Sequence, residues 1–165
     1  CIATRRALPT AEYHLLTLRA ASPVASLGIW ASTSVGPQGA VDGARRLAKA
    51  LRDRNDSTPV VVVLERADEL TADAGEEDVE DLVRVCIERD HFVVAEADAQ
   101  FFSGSYGLPS RLRTSRTGIV LHPEGSEGNQ AFRTDLPSLD RSQLPAGRGF
   151  YVTKGTVELV QVAIP

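Results

Sequence analysis

A chain of 165 residues that is 42% hydrophobic and 24% charged has the size and make-up of a globular domain with a real core, which excludes a fibrous, low-complexity or disordered polymer. Its formal net charge of -4 comes with no basic stripe. Duplex DNA is therefore not an expected partner, because affinity for it rests on neutralised phosphates.

No apolar run is long enough to span a bilayer and no signal peptide is visible, so the chain is expected to be soluble. The sequence starts CIATRR and contains no methionine. Its N-terminus is expected to arise by cutting, as an engineered fragment, a processed product or one piece of a longer protein. An acylated lipoprotein Cys1 is less favoured, since IATRRALP is a poor polar tether. Cys86 falls on the apolar face of a helical pattern. Two cysteines in such different settings make no disulfide framework, and Cys86 reads as a core residue.

In chain order, YHLLTL (13–18) reads as a short buried strand and RAASPVASLG (19–28) as a loop broken by Pro23. Residues 36–56 read as a helix with Ala40, Val41, Ala44, Leu47, Ala48 and Leu51 on one face. PVVVVL (59–64) is apolar throughout, as a central parallel strand covered on both faces is. Residues 76–90 form a second amphipathic pattern with Val79, Leu82, Val83, Cys86 and Ile87 inward and acids in the first turn, where the helix dipole favours them. HFVVAEAD (91–98) is another strand. This alternation predicts an α/β fold, a parallel sheet with helices on both faces. Residues 99–116 read as mixed helix and loop, GIVLHP (118–123) as a fourth strand and 124–149 as a Gly-, Pro- and Ser-rich loop. Residues 149–165 close the chain as a β-hairpin turning at TKGT.

The candidate chemistry lies where PVVVVL meets Glu65, with Asp68 and Glu69 close behind. An acid at the carboxyl end of a buried parallel strand is compatible with a Walker B position, where it would hold Mg²⁺ directly or through water, although many buried strands end in an acid. The phosphate loop that would complete it, G-x-x-x-x-G-K-[ST], does not occur in the sequence. Lys49 is mid-helix and Lys154 is in the hairpin turn. PAGRG (145–149) is a tight turn in which Arg148 can face a phosphate or a neighbour's carboxylate, with Gly147 and Gly149 supplying unusual φ values; a simple turn with a solvated arginine is the plainer reading. His14, His91 and His122 lack metal-ligand spacing. FFSGSYG lacks the strand-turn-helix setting of a nucleophile elbow.

Taken together, YHLLTLRAASPVASLG, TPVVVVLERADEL, HFVVAEAD, SRTGIVLHP, LPAGRGFYV and VELVQVAIP resemble, in order and spacing, the later part of FtsK/SpoIIIE-type ATPase domains. The flavour is that of actinobacterial FtsK-like proteins and of the EccC-type ATPases of type VII secretion. The resemblance implies a RecA-like P-loop nucleotidase core with a C-terminal β-hairpin. Residues 1–165 would be a single partial domain lacking the Walker A segment and the central strand that carries it. It implies ATP and Mg²⁺ as cofactors, weak or absent in this chain alone, because the family's Asp-Asp pair is Glu65-Arg66 here. Arg148, Gly147 and Gly149 would lie at a nucleotide or subunit interface. The hairpin would extend the main sheet antiparallel to it, held down by Val157, Leu159, Val160 and Val162. The function implied is that of a degenerate ATPase module of a membrane-associated translocase, at the cytoplasmic face of the membrane in a longer protein. It would bind other subunits, ATPase modules or a secreted protein. The alternatives are an active ATP-driven DNA or protein translocase whose P-loop lies upstream, and an interaction domain without nucleotide.

Overall fold

The computed structural model describes residues 6–71, 75–139 and 144–162. Cys1 and residues 163–165 at the end of the expected hairpin lie outside the described residues, as do residues 140–143 of the expected loop. The chain falls into two compact units, Cys1–Ala97 and Asp98–Pro165.

The first unit is built on four parallel strands, β1 (Glu12–Thr17), β2 (Ser32–Val35), β3 (Val60–Leu64) and β4 (Phe92–Ala95), in the order β2-β1-β3-β4. All five residues of β3 are buried, as its unbroken apolar run requires of a strand between two others. Helix α1 (Gly36–Asp53) starts with Pro37 in its first turn, where a missing N–H costs nothing. It packs against β1, β2 and α3 (Glu76–Glu88). Between them comes the single-turn helix α2 (Ala67–Leu70). A Cβ on Gly43 of α1 would meet Ser34 of β2, so α1 covers the face carrying Ser34 and, by register, Leu16 and Leu64. The opposite face carries Tyr13, Leu15, Val61 and Val63 and is packed by Leu8, Val24, Ala25 and Trp30. Helices were expected on both faces; the described residues show the 19–31 connection filling the second one.

Two further details depart from the sequence reading. β2 is a Ser-Thr-Ser-Val strand with no hydrophobic signal, and sequence patterning gives no sign of it. Ile87 was expected inward but is 51% exposed, because it follows the buried Cys86 at the outer rim of the α3 face, whereas Val85 is buried. Burial pushes the Cys86 thiol up to about 12.

The second unit contains a 3₁₀ turn (Ala99–Ser103), α4 (Gly107–Arg113), β5 (Thr117–Leu121), α5 (Glu127–Phe132), β6 (Arg148–Thr153) and β7 (Thr156–Gln161). Leu108, Ala131, Leu144, Phe150 and Val152 are buried in it. The hairpin forms as expected: Thr153 pairs with Thr156 across Lys154 and Gly155, both at positive φ, as a tight two-residue hairpin turn requires. Its placement differs from expectation. β6 pairs antiparallel with β5, so β5 and the hairpin make a separate three-stranded sheet of order β5-β6-β7 instead of lengthening the parallel one. β6 carries the buried side chains, while β7 is an edge strand with Leu159 46% exposed. The loop expected at 124–149 includes α5, whose short Glu127–Phe132 pattern is drowned in Gly and Ser.

The sheet also holds a titrating group. His14 is 8% exposed, with Nδ1 2.7 Å from Ser32 Oγ. Burial lowers its pKa, against the opposing pull of the Glu12 carboxylate. A group whose folded pKa is depressed contributes stability that is present above its unfolded value and lost as pH falls through the folded one. The melting temperature is therefore expected to drop as pH is lowered below about 6.5. His14→Gln should flatten that part of the curve in thermal unfolding followed by circular dichroism.

Candidate functional site

The site is built on the carboxyl ends of β1 and β3. Leu16 lies opposite Leu64, so the next pair along the register is Thr17 and Glu65. Both residues are buried, Glu65 at 8% exposure, and the Thr17 hydroxyl donates to Glu65 Oε2 at 2.5 Å. The Glu65 amide continues the sheet by donating to the Leu16 carbonyl at 3.1 Å. The acid that ends the strand is thus turned onto its neighbour.

Directly after it, Arg66 takes the left-handed conformation, φ 55° and ψ 60°. That region is unfavourable for a side chain with a Cβ and persists only where the surroundings determine it. Here they do. The Arg66 amide donates to Glu96 Oε2 at 2.9 Å, and the Ala67 amide donates to the Glu96 carbonyl at 2.7 Å. The Arg66 guanidinium spans Asp68 Oδ2 at 2.9 Å and Glu69 Oε1 at 3.0 Å. The three acids marked by the sequence are therefore engaged within the fold: Glu65 by a hydroxyl, Asp68 and Glu69 by one cation.

This donor set was tested against the Mg²⁺ of a Walker B site. Mg²⁺ demands near-octahedral oxygen ligation and keeps several waters. Glu65 is shielded, already accepts from Thr17 and is followed directly by the Arg66 guanidinium, an arrangement unlike the open, water-bearing carboxylate that Mg²⁺ ligation calls for. Among the described residues, no three His, Cys, Asp or Glu side chains converge on a metal position. A cavity of about 110 Å³ lies nearby, lined by Leu18, Val41, Leu70 and Val79 with Gln38 and Glu69. Glu65 does not line it.

PAGRG lies in the second unit, whereas Glu65 lies in the first. Gly147 has φ 78°, a conformation that favours glycine. The Arg148 amide donates to the Pro145 carbonyl at 2.8 Å and closes the turn. Arg148 Nε is buried with no hydrogen-bond partner among the described residues. Gly149 serves the sheet: a Cβ there would lie 2.0 Å from the Val120 carbonyl oxygen of β5. Sequence reading missed Thr17 and Glu96. The only available signal was a hydroxyl at the end of an otherwise apolar strand and an acid just past another.

No protein-family model matches the chain, and no curated protein does. Among solved structures, the chain is similar to Thermomonospora curvata EccC (ATPases 2 and 3) in complex with a signal sequence peptide, with a TM-score of 0.68 at 18% identity. The match covers 94% of this chain and 31% of that one. The likeness establishes the fold: a parallel sheet flanked by helices with an antiparallel hairpin sheet, in the manner of the EccC ATPase domains. No described helix is long and apolar enough to cross a membrane.

Two stability measurements test this geometry. Thr17→Val keeps the side-chain shape but removes the donor to a buried carboxylate, and is expected to cost about 1–3 kcal/mol in urea unfolding. Glu65→Gln retains an acceptor oxygen for the hydroxyl and should cost less. In the second unit, Gly149→Ala must push β5 and β6 apart and is expected to lose about 1–3 kcal/mol. Arg148→Ala should leave unfolding nearly unchanged, because it deletes an Nε that has no partner.

Proposed function

We propose that this chain is part of one FtsK/SpoIIIE-type ATPase domain, belonging to a membrane-associated translocase of the type VII secretion kind. It serves partner binding or ring assembly in place of ATP turnover. The observation that carries the reading is the state of the Walker B position: Glu65 is bound to Thr17, and Arg66 occupies Asp68 and Glu69. The sequence also holds no G-x-x-x-x-G-K-[ST] loop to cradle phosphates. The fold likeness to EccC supports the family. Because that protein is described with a signal sequence peptide, a peptide of an exported protein is the partner class proposed here. The cavity lined by Leu18, Val41, Leu70 and Val79 is suited to one aliphatic side chain of such a peptide. In this reading Arg148 pairs with an acidic or phosphate group of a neighbouring module, which would satisfy its buried Nε. The translocase as a whole would work at the cytoplasmic face of a membrane.

A steady-state phosphate-release assay with ATP and Mg²⁺ tests the proposal. The chain is expected to release no phosphate above the buffer rate. Turnover that Glu65→Gln abolishes would overturn the proposal and make Glu65 a working catalytic residue.

A further inference from the structure

The 19–31 connection covers the second face of the parallel sheet without forming a helix or a strand. Its turns are closed by its own bonds. The Ser22 amide donates to the Arg19 carbonyl at 3.3 Å, and the amides of Ala25 and Leu27 donate to the Ser22 and Val24 carbonyls at 3.2 Å each. The buried Ser22 hydroxyl accepts from the amides of Val24 and Ala25, and the Trp30 indole donates to the Val24 carbonyl at 2.9 Å. Val24, Ala25 and Trp30 rest half-buried on Tyr13, Leu15, Val61 and Val63. A segment folded on itself and lightly seated can lift as a unit at less cost than the sheet beneath it.

Each end of the connection is tied to β1. At the far end the Ala31 amide donates to the Tyr13 carbonyl at 2.7 Å. At the near end the Arg19 amide donates to Thr17 Oγ1 at 3.0 Å. This is the hydroxyl that donates to Glu65, on a residue 0% exposed. A hydroxyl has one hydrogen and two lone pairs. With the hydrogen committed to the carboxylate, the lone pairs are left for Arg19, and donation to an anion makes the oxygen a stronger acceptor. The strand-ending acid and the connection therefore share one hydroxyl.

We propose that Thr17 is a positioning residue that latches the 19–31 connection to Glu65. The connection is then a strap over the second face of the sheet, and its hold depends on the Glu65 carboxylate. A group that draws Glu65 off the hydroxyl frees the strap and uncovers Tyr13 and Leu15. The inference is independent of the nucleotide-site reading, since a working or an idle Glu65 would set the hydroxyl alike.

Limited digestion of the full chain with trypsin under native conditions tests it. Mass spectrometry follows cleavage after Arg19, an exposed residue of the strap, at a rate that tracks the population of the open form. Emission from Trp30, the single tryptophan, is the second readout. Thr17→Val is expected to speed cleavage after Arg19 by about tenfold and to move Trp30 emission to longer wavelength. Thr17→Ser keeps the hydroxyl and should match the parent chain in both. Glu65→Leu, a change outside the strap, should also speed the cleavage, and should add nothing when combined with Thr17→Val, because the latch is already gone. Unchanged cleavage in Glu65→Leu, or the same acceleration with and without the Thr17 hydroxyl, overturns the proposal. So does an equal rise in cleavage after Arg84 of α3, which would mean that the whole unit opens. If Thr17→Val does not fold, Glu65→Leu compared at Arg19 and Arg84 still decides.

Discussion

Burial of β3 between β1 and β4 is the constraint on which the rest of the first unit depends. Five apolar residues with no polar side chain among them cannot lie on a surface, so each face of the strand must be covered and each edge paired. The helices α1 and α3 meet one need, the Trp30 connection another, and the neighbouring strands the third. A slip of one residue in this pairing would exchange the two faces of the strand. The register is therefore fixed, and with it the residue that stands beside Glu65.

From that register the carboxyl end of the sheet acquires its character. A hydroxyl lies where the strand-ending acid needs a donor, and the chain then turns through a left-handed arginine. The guanidinium balances two acids on the following turn, and Glu96 from the next strand locks the backbone through both its carboxylate and its carbonyl. The result is a polar cluster held by neutral donors and one guanidinium, in which the acids outnumber the cation. It holds the ends of β1, β3 and β4 together, and it leaves the adjacent cavity apolar in character.

The alternation of strands and helices was legible because long periodic segments carry their own signal: β3 by unbroken valine, α1 and α3 by their apolar stripes, the hairpin by Lys154-Gly155. Glu65 was legible as a strand-ending acid. What it does there was not, because its partner is 48 residues away and the contact depends on register. β2 escaped notice because an edge strand needs no apolar face. β5 was legible as a strand, but the sheet that the hairpin joins was not, because an apolar run does not say which strand it pairs with or in which direction. Gly149 looked like loop chemistry, and only the position of the Val120 carbonyl shows that it serves strand packing.

The buried thiol of α3 has a consequence for how the molecule can be observed. Cys86 is buried on α3, which packs against α1, and burial pushes its ionisation up to about 12, so the nucleophilic thiolate is almost absent while the helices are packed. It gains ordinary reactivity only when α3 lifts from its neighbour. The rate at which a thiol reagent modifies Cys86 in the intact protein then reports the opening equilibrium of the helical layer. A partner that clamps this layer would be visible as a slower reaction at a residue it never touches.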